Sequence, residues 1–246
     1  MHRVRSVDVR MDFGEDYPFF GLEPPFLCCV VGATRTGKTT LVSNLIKQWE
    51  SIVIGATHLW QVVIVFEHEQ PLYEELVRGV KEKFPNVCIV WFWGWNEEAM
   101  KNPDLFRHPT GDKNSQTLLI VDDCLYKLNK SAVLAKICRG QAHHENICMF
   151  VIIQDFTSGG AELRAAIKNM HYFIVTQGSS ELLRYLQSKL YPYGQFNLHQ
   201  AFSIVKNQRC SPYPYLILNN TVNCPKERSV FTGLLKGEEA ILLAPS

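Results

Sequence analysis

The strongest constraint on this chain is the octet Gly32-Ala33-Thr34-Arg35-Thr36-Gly37-Lys38-Thr39, which meets the pattern G-x-x-x-x-G-K-[ST] at every fixed position. The run before it, Phe26-Leu27-Cys28-Cys29-Val30-Val31, is apolar throughout, as a strand buried on both faces requires. Behind it, Leu41, Leu45 and Trp49 recur four apart and give a helix from Thr39 to Trp49 one apolar stripe. Strand, glycine-bearing loop and helix thus follow in the order that builds a phosphate cradle. Gly32 and Gly37 let the backbone curl so that successive N–H groups converge on an oxyanion. A helix opening at Lys38 adds its unpaired N–H groups and the positive end of its dipole. Lys38 is expected to reach the β- and γ-phosphates, and the Thr39 hydroxyl to complete a Mg²⁺ shell. Gly32, Ala33, Thr34, Arg35, Thr36, Gly37, Lys38, Thr39 and Thr40 are therefore the expected contacts of a nucleoside triphosphate. The plain alternative is a glycine turn before an ordinary helix.

A second stretch, Thr117-Leu118-Leu119-Ile120-Val121-Asp122-Asp123, runs from apolar residues into two acids. Charges are costly in an apolar setting unless paired or bound to metal, so two adjacent carboxylates need a reason. A buried strand that delivers them to a cleft at its carboxyl end supplies one. Asp122 is expected to hold Mg²⁺, directly or through water, and Asp123 to polarise the attacking water. The competing reading makes the acid a cap for a helix that follows. Ile147 to Ile153 reads as another buried strand, closed by the polar Gln154, which either orients the water and senses the γ-phosphate or simply bonds solvent. The glycine loop and the acidic pair are expected on the ends of neighbouring strands.

Composition narrows the class. At 246 residues with 46% apolar and a net charge of +1, one globular domain with a full core is expected, without a global pull toward nucleic acid. The start, Met1-His2-Arg3-Val4-Arg5, lacks the apolar run of a signal peptide, and no segment approaches the ~18 apolar residues of a membrane span. The eight cysteines include no C-x-x-C pair, and His143-His144 lie at no recognised ligand spacing from Cys138 and Cys148, so reduced core thiols are expected.

Residues 1–24, with Pro18, Pro24 and Pro25, read as an arm, 25–235 as the ATPase domain and 236–246 as a tail. Further strands are expected over Leu59 to Phe66, Val87 to Trp93 and Tyr172 to Thr176, with edge strands at Tyr215 to Leu218 and Ser229 to Phe231. Helices are expected from Pro71 to about Phe84, through Val133, Leu134 and Ile137 to a stop at Gly140, from Ala161 to Asn169, and along Leu182, Leu183, Leu186 and Leu190. This alternation argues for a mostly parallel α/β sheet flanked by helices. Trp91, Trp93 and Trp95 share a face if all lie in one strand. With Lys101, Arg107 and Lys113 nearby they either contact DNA or pack beneath the aperiodic segment 95–116.

With these motifs in place, the chain resembles the DNA-packaging ATPases of poxvirus-type, virophage and Polinton-like elements, within the FtsK–HerA superfamily. Gln70-Pro71-Leu72-Tyr73 is similar to that family's Q-x-x-Y segment, Arg139-Gly140-Gln141-Ala142-His143 to its R-G-x-H-like stretch, and Gln154-Asp155-Phe156 to its Q-x-F. Arg164 with Asn169-Met170-His171-Tyr172 resembles R-x-x-x-x-N-x-x-Y, and Pro212-Tyr213-Pro214-Tyr215-Leu216 resembles P-Y-x-Y-L. The resemblance implies a single-domain P-loop NTPase of the RecA/ASCE-like type, with ATP and Mg²⁺ as cofactors. It further implies a homo-oligomeric ring, pentamer or hexamer, that drives double-stranded DNA into a capsid and docks on a capsid or portal-vertex protein. Such a protein works inside the infected host, in the nucleus or a cytoplasmic virus factory, or travels with the virion. Lys38, Asp123 and Gln154 are then catalytic, and Arg139 or Arg164 reaches a neighbour's γ-phosphate. The alternatives are a replicative helicase, another P-loop NTPase acting on nucleic acid, a small-molecule kinase or a non-catalytic adaptor. A guanine-reading N-K-x-D is missing, since Asn129-Lys130-Ser131-Ala132 lacks the acid.

Overall fold

Successive side chains of Leu27–Gly32 must face opposite ways, so an apolar strand here needs cover on both sides. In the computed structural model both sides are covered. The structure describes residues 4–8, 21–55, 58–68, 70–112, 114–157, 159–177, 179–191, 196–208, 213–225, 228–238 and 240–245. Leu27, Cys29 and Val31 join one core with Leu134, Leu163 and Leu186, while Cys28 and Val30 join a second with Leu41, Leu45, Trp49 and Leu76. The two cores sandwich the sheet between helical layers.

In chain order the strands are β1 (Val4–Asp8), β2 (Leu27–Gly32), β3 (His58–Phe66), β4 (Cys88–Trp93), β5 (Ser115–Asp122), β6 (Ile147–Ile153), β7 (Tyr172–Gln177), β8 (Leu216–Asn219), β9 (Val230–Thr232) and β10 (Ile241–Pro245). They form one sheet in the order β1-β10-β9-β8-β7-β2-β6-β5-β3-β4. From β7 through β4 the pairing is parallel, and from β7 out to β1 it is antiparallel. The fold is thus the expected mostly parallel α/β sheet. The phosphate-loop strand β2 and the acidic strand β5 are not neighbours, however, because β6 lies between them.

Other expectations shift with context. Tyr215 to Leu218 and Ser229 to Phe231 supply interior strands, because β10 and β1 pair beyond them. Val4–Asp8 comes from the stretch read as an arm and Ile241–Pro245 from the stretch read as a tail. The helix Ala132–Lys136 does not stop at Gly140 but continues through a π-helical turn, Ile137–Gln141, into Ala142–His144. A helix at Leu198–Gln208 had no counterpart in the sequence reading. Segment 95–116 contains a short helix, Glu97–Lys101, and buries Met100 and Phe106. Trp91 and Trp93 stay 41% and 68% exposed on the outer strand β4, whereas Trp95 lies past a turn at Gly94 and is buried, donating to Ser131 Oγ. Pro18, Lys113 and Pro212, with residues 1–3, lie outside the described residues. Burial pushes the Cys138 and Cys148 thiols up to about 12; Cys28, Cys29 and Cys124 are buried as well, whereas Cys88 is exposed on the outer strand β4.

The start of β2 is tied to that of β7 by His171, whose N–H donates to the Leu27 carbonyl while its Nδ1 accepts the Leu27 N–H at 3.3 Å. Accepting requires an unprotonated Nδ1. Burial holds the His171 pKa below its usual range, with His143 acting the same way and Glu23 opposing. The folded protein therefore binds this proton less readily than the unfolded chain, so the contribution is present above about pH 6.5 and lost below it. Stability measured by urea unfolding should fall from about pH 7 to about pH 5, and His171→Asn, which keeps an acceptor without titrating, should flatten that slope.

Candidate nucleotide-binding site

The loop after β2 is shaped by two left-handed residues, Arg35 at φ 63° and Gly37 at φ 80°. Gly32 serves a different need. A Cβ there would lie 2.3 Å from Thr176 Oγ1 and 2.9 Å from the Gln177 nitrogen, so only glycine lets the loop approach β7. Thr36 Oγ1 donates to the Ala33 carbonyl at 2.8 Å and lies 2.7 Å from Thr176 Oγ1, fixing the back of the loop. Gly37 caps the helix Lys38–Lys47, and no side chain bonds its first N–H groups, which suits an anion. Lys38 Nζ donates to the Gly32 and Ala33 carbonyls at 2.7 and 2.8 Å. Burial lowers the Lys38 pKa, and Asp122 and Asp123 pull it back up.

The opposite wall is built on Asp122, which is 4% exposed. Its Oδ2 accepts from Thr39 Oγ1 and from the Tyr73 hydroxyl, each at 2.7 Å. Burial pushes the Asp122 carboxyl above the usual range; the Tyr73 and Thr39 hydrogen bonds hold it down, Asp123 adds to the rise and Lys38 opposes it. Tyr73 is buried and stacks on Phe66, ring centroids 4.9 Å apart, at the first turn of the helix Pro71–Lys83. Burial and the neighbouring Asp122 raise its phenol far above the ordinary value, so it stays the donor.

Strand alternation would send consecutive acids to opposite faces. Asp123 escapes this by leaving the strand in a left-handed conformation, φ 55°, and both carboxylates line one cleft. Gln154 ends β6 between the two walls, and its Nε2 donates to Asp123 Oδ1 at 3.4 Å. Neither acid caps a helix, since the short helix Leu125–Leu128 starts at Cys124 without a side-chain cap.

Thr34, Arg35, Gly37, Lys38, Thr39 and Thr40 face Asp122, Asp123 and Gln154 across a cleft of about 320 Å³. Gly32, Ala33 and Thr36 form the rear of the loop rather than its lining. Gln70, Leu72 and Tyr213 complete the cleft, and with Tyr73 they are the members that sequence chemistry did not assign. Their only signal was the Q-x-x-Y and P-Y-x-Y-L resemblance, which carries no spatial information. Arg139 and Arg164 are exposed and lie outside this cleft. Arg139 lines a separate groove with Lys101, Lys136 and His144, and the Arg164 guanidinium donates to the Gly159 carbonyl.

Among the described residues no group of three or more His, Cys, Asp or Glu side chains could hold a metal by itself. A hydroxyl and a single carboxylate 2.7 Å apart instead fit Mg²⁺, a hard ion that takes few protein oxygens and completes its shell with phosphate and water.

A phosphate loop joined to an acidic strand across one intervening strand defines a P-loop NTPase. The chain belongs to the poxvirus A32 protein family, whose model matches residues 21–234. No curated protein matches the sequence. Among solved structures, the genome packaging NTPase B204 of Sulfolobus turreted icosahedral virus 2 in complex with AMP is similar at TM-score 0.50 and 14% identity, over 79% of this chain and 92% of that one. The same NTPase with ATP-gammaS gives 0.48 and 12%, over 89% and 96%.

Removing the Tyr73 hydroxyl takes one of two donors from a buried carboxylate. Tyr73→Phe should cost about 1.5–3 kcal/mol in urea unfolding at neutral pH, the scale of a hydrogen bond to a charged group, and should raise the Mg²⁺ concentration needed for half-maximal ATP hydrolysis.

Proposed function

We infer that the protein is a viral genome-packaging ATPase, an ATP-hydrolysing motor that moves double-stranded DNA into a capsid. The observation that carries the reading is the Thr39–Asp122 contact, which closes a triphosphate-sized cleft with Asp123 and Gln154 on its acidic side. Family membership and the fold shared with a packaging NTPase support the biological role. In this reading the loop N–H groups and Lys38 hold the β- and γ-phosphates, and Thr39 and Asp122 hold Mg²⁺. Bound there, the ion would neutralise charge on the phosphates. Asp123 draws a proton from the attacking water, and Gln154, one strand closer to the loop, orients that water and registers the γ-phosphate.

The ring arrangement rests on the resemblance and on the positions of the arginines. Arg139 and Arg164 are both on the surface, away from their own chain's cleft, which favours a role toward a neighbouring copy. Such a contact is worth on the order of 10³–10⁵ in rate. Capsid or portal-vertex docking and action in the host nucleus or a virus factory complete the proposal. No helix among the described residues is long and apolar enough to cross a membrane.

Lys38→Ala and Asp123→Asn should each lower ATP turnover by about 10²–10³ or more, the scale of losing one preorganised charge contact. Turnover of the wild type should rise on adding intact duplex DNA, and hydrolysis indifferent to duplex would count against a packaging motor. Mixing Lys38→Ala subunits with Arg139→Ala or Arg164→Ala subunits should recover turnover only for the arginine that acts across the interface.

A further inference from the structure

The helical layer on the far side of the sheet from the helix Lys38–Lys47 carries a groove that collects basic side chains. It lies between the end of the helix Glu97–Lys101 and the π-helical turn Ile137–Gln141, and it holds about 520 Å³. Lys101, Lys136, Arg139 and His144 line it. The acid in the lining, Glu145, is already engaged by Arg107 at 3.0 Å. Lys101 pairs with Glu98 at 2.7 Å, but both are exposed, so the contact is of small worth and another anion displaces it readily. No acid among the described residues lies within ion-pair distance of Lys136 or Arg139. Gln141 also lines the groove, and its amide nitrogen donates to no described residue.

Position separates this groove from the chain's own nucleotide. His144 and Glu145 come just before β6, whose other end delivers Gln154 to the phosphate cleft. The seven residues of that strand span about 20 Å, so a triphosphate on the loop of the same chain does not reach these cations. Spacing then bears on the ligand. Lys136, Arg139 and His144 follow one another along one helical stretch, about 12 Å from first to last at 1.5 Å per residue. One strand of a duplex carries a phosphate every ~3.4 Å along the axis, so the row faces roughly three to four of them. A single arginine would suffice for one γ-phosphate of a neighbouring copy, whereas a row of cations suits a polymer with repeating charge. The net charge of +1 supplies no global attraction to such a polymer, so a local patch has to.

We propose that this groove binds the sugar–phosphate backbone of duplex DNA, with Lys101, Lys136 and Arg139 on successive phosphates and Gln141 and His144 as added donors. Contacts of this kind position a duplex without reading its sequence, as a motor that moves along any sequence needs. The proposal rests on the packaging reading and gives it a surface.

The test measures binding of a fluorescein-labelled duplex to the full chain by anisotropy, over about 0.05 to 0.3 M salt. Lys101 and Lys136 are both exposed, so the double variant Lys101→Gln/Lys136→Gln removes charge without opening the core. Each lost phosphate contact should lower the slope of log K against log salt by about 0.9, which at 0.1 M salt is close to tenfold in affinity. The double variant should therefore bind about 30- to 100-fold more weakly, with a slope lower by about two. Lys81→Gln removes a like charge from an exposed position on the other helical layer and should bind as the wild type does. Affinity and slope unchanged in the double variant, or lowered as much by Lys81→Gln, would overturn the proposal. So would a double variant that keeps its duplex affinity but loses binding of oligoglutamate, which would assign the groove to an acidic protein segment. Recovery of turnover in the Arg139→Ala mixture, with duplex affinity intact in the double variant, would assign it to a neighbour's triphosphate. Wild-type protein without duplex affinity would sink the packaging reading and the groove with it, so the two failures are distinct.

Discussion

A single buried carboxylate oxygen holds this site together. Asp122 Oδ2 takes two hydroxyl donors, one from the helix behind the phosphate loop and one from the helix that follows β3. An ionised carboxylate with so little exposure is costly unless its lone pairs are satisfied. Thr39 and Tyr73 meet that need, and in doing so they fix the distance between three separately built elements. The loop, the acidic strand and the helix Pro71–Lys83 are therefore in register independently of any ligand, which is the preorganisation that electrostatic catalysis exploits. Lys47 and Glu75, 2.6 Å apart on the same two helices, add a surface contact of lesser worth.

Topology then decides what reaches the cleft. The helix after β2 packs on one face of the sheet, and those after β5, β6 and β7 on the other. Connections that diverge to opposite faces leave a crevice at the carboxyl ends of the strands, where loops from both layers converge. With β6 inserted between β2 and β5, the crevice spans three strand ends instead of two. The middle strand ends in Gln154, beside Asp123 and across from Lys38. A two-strand arrangement would offer no rigid position for a polar group between the phosphates and the acids.

Much of this was legible in the chain, for identifiable reasons. The interior parallel strands are continuous apolar runs, and Asp122 and Gln154 stand out because each breaks such a run at its end. Gly32, Gly37, Lys38 and Thr39 have fixed spacing because backbone geometry demands it. Strand adjacency was not legible, since nothing local to β5 or β6 records which of them lies beside β2. The outer strands β1 and β10 were missed because Val4–Asp8, Val-Arg-Ser-Val-Asp, keeps no regular alternation in its short span, and their pairing is set by contacts across nearly the whole chain. Gly140 misled the reading of a helix end: a π-helical turn absorbs it, with Ile137 and Cys138 buried at the start of that turn. Tyr73 could not be assigned because its role depends on a partner 49 residues away.

The same site collects several conformations and charges that work against folding. Arg35 and Asp123 are left-handed without being glycine, Asp122 is buried as an acid, and Lys38 is half-buried as a base. Left-handed non-glycine residues cost of order 1–3 kcal/mol each and persist only where their surroundings over-determine them. Here the surroundings are the two cores on either face of β2, whose strand residues are fully enclosed. Bound phosphates would supply what Lys38 and the loop N–H groups are arranged to meet, and a cation would supply what Asp122 is arranged to meet. The strain at the carboxyl ends of β2 and β5 is thus balanced by packing beneath the sheet ends, and a bound nucleotide would balance it from above. A nucleotide held there would be a structural component of its own binding site, and its hydrolysis and release would alter the fit between the loop and the acidic wall.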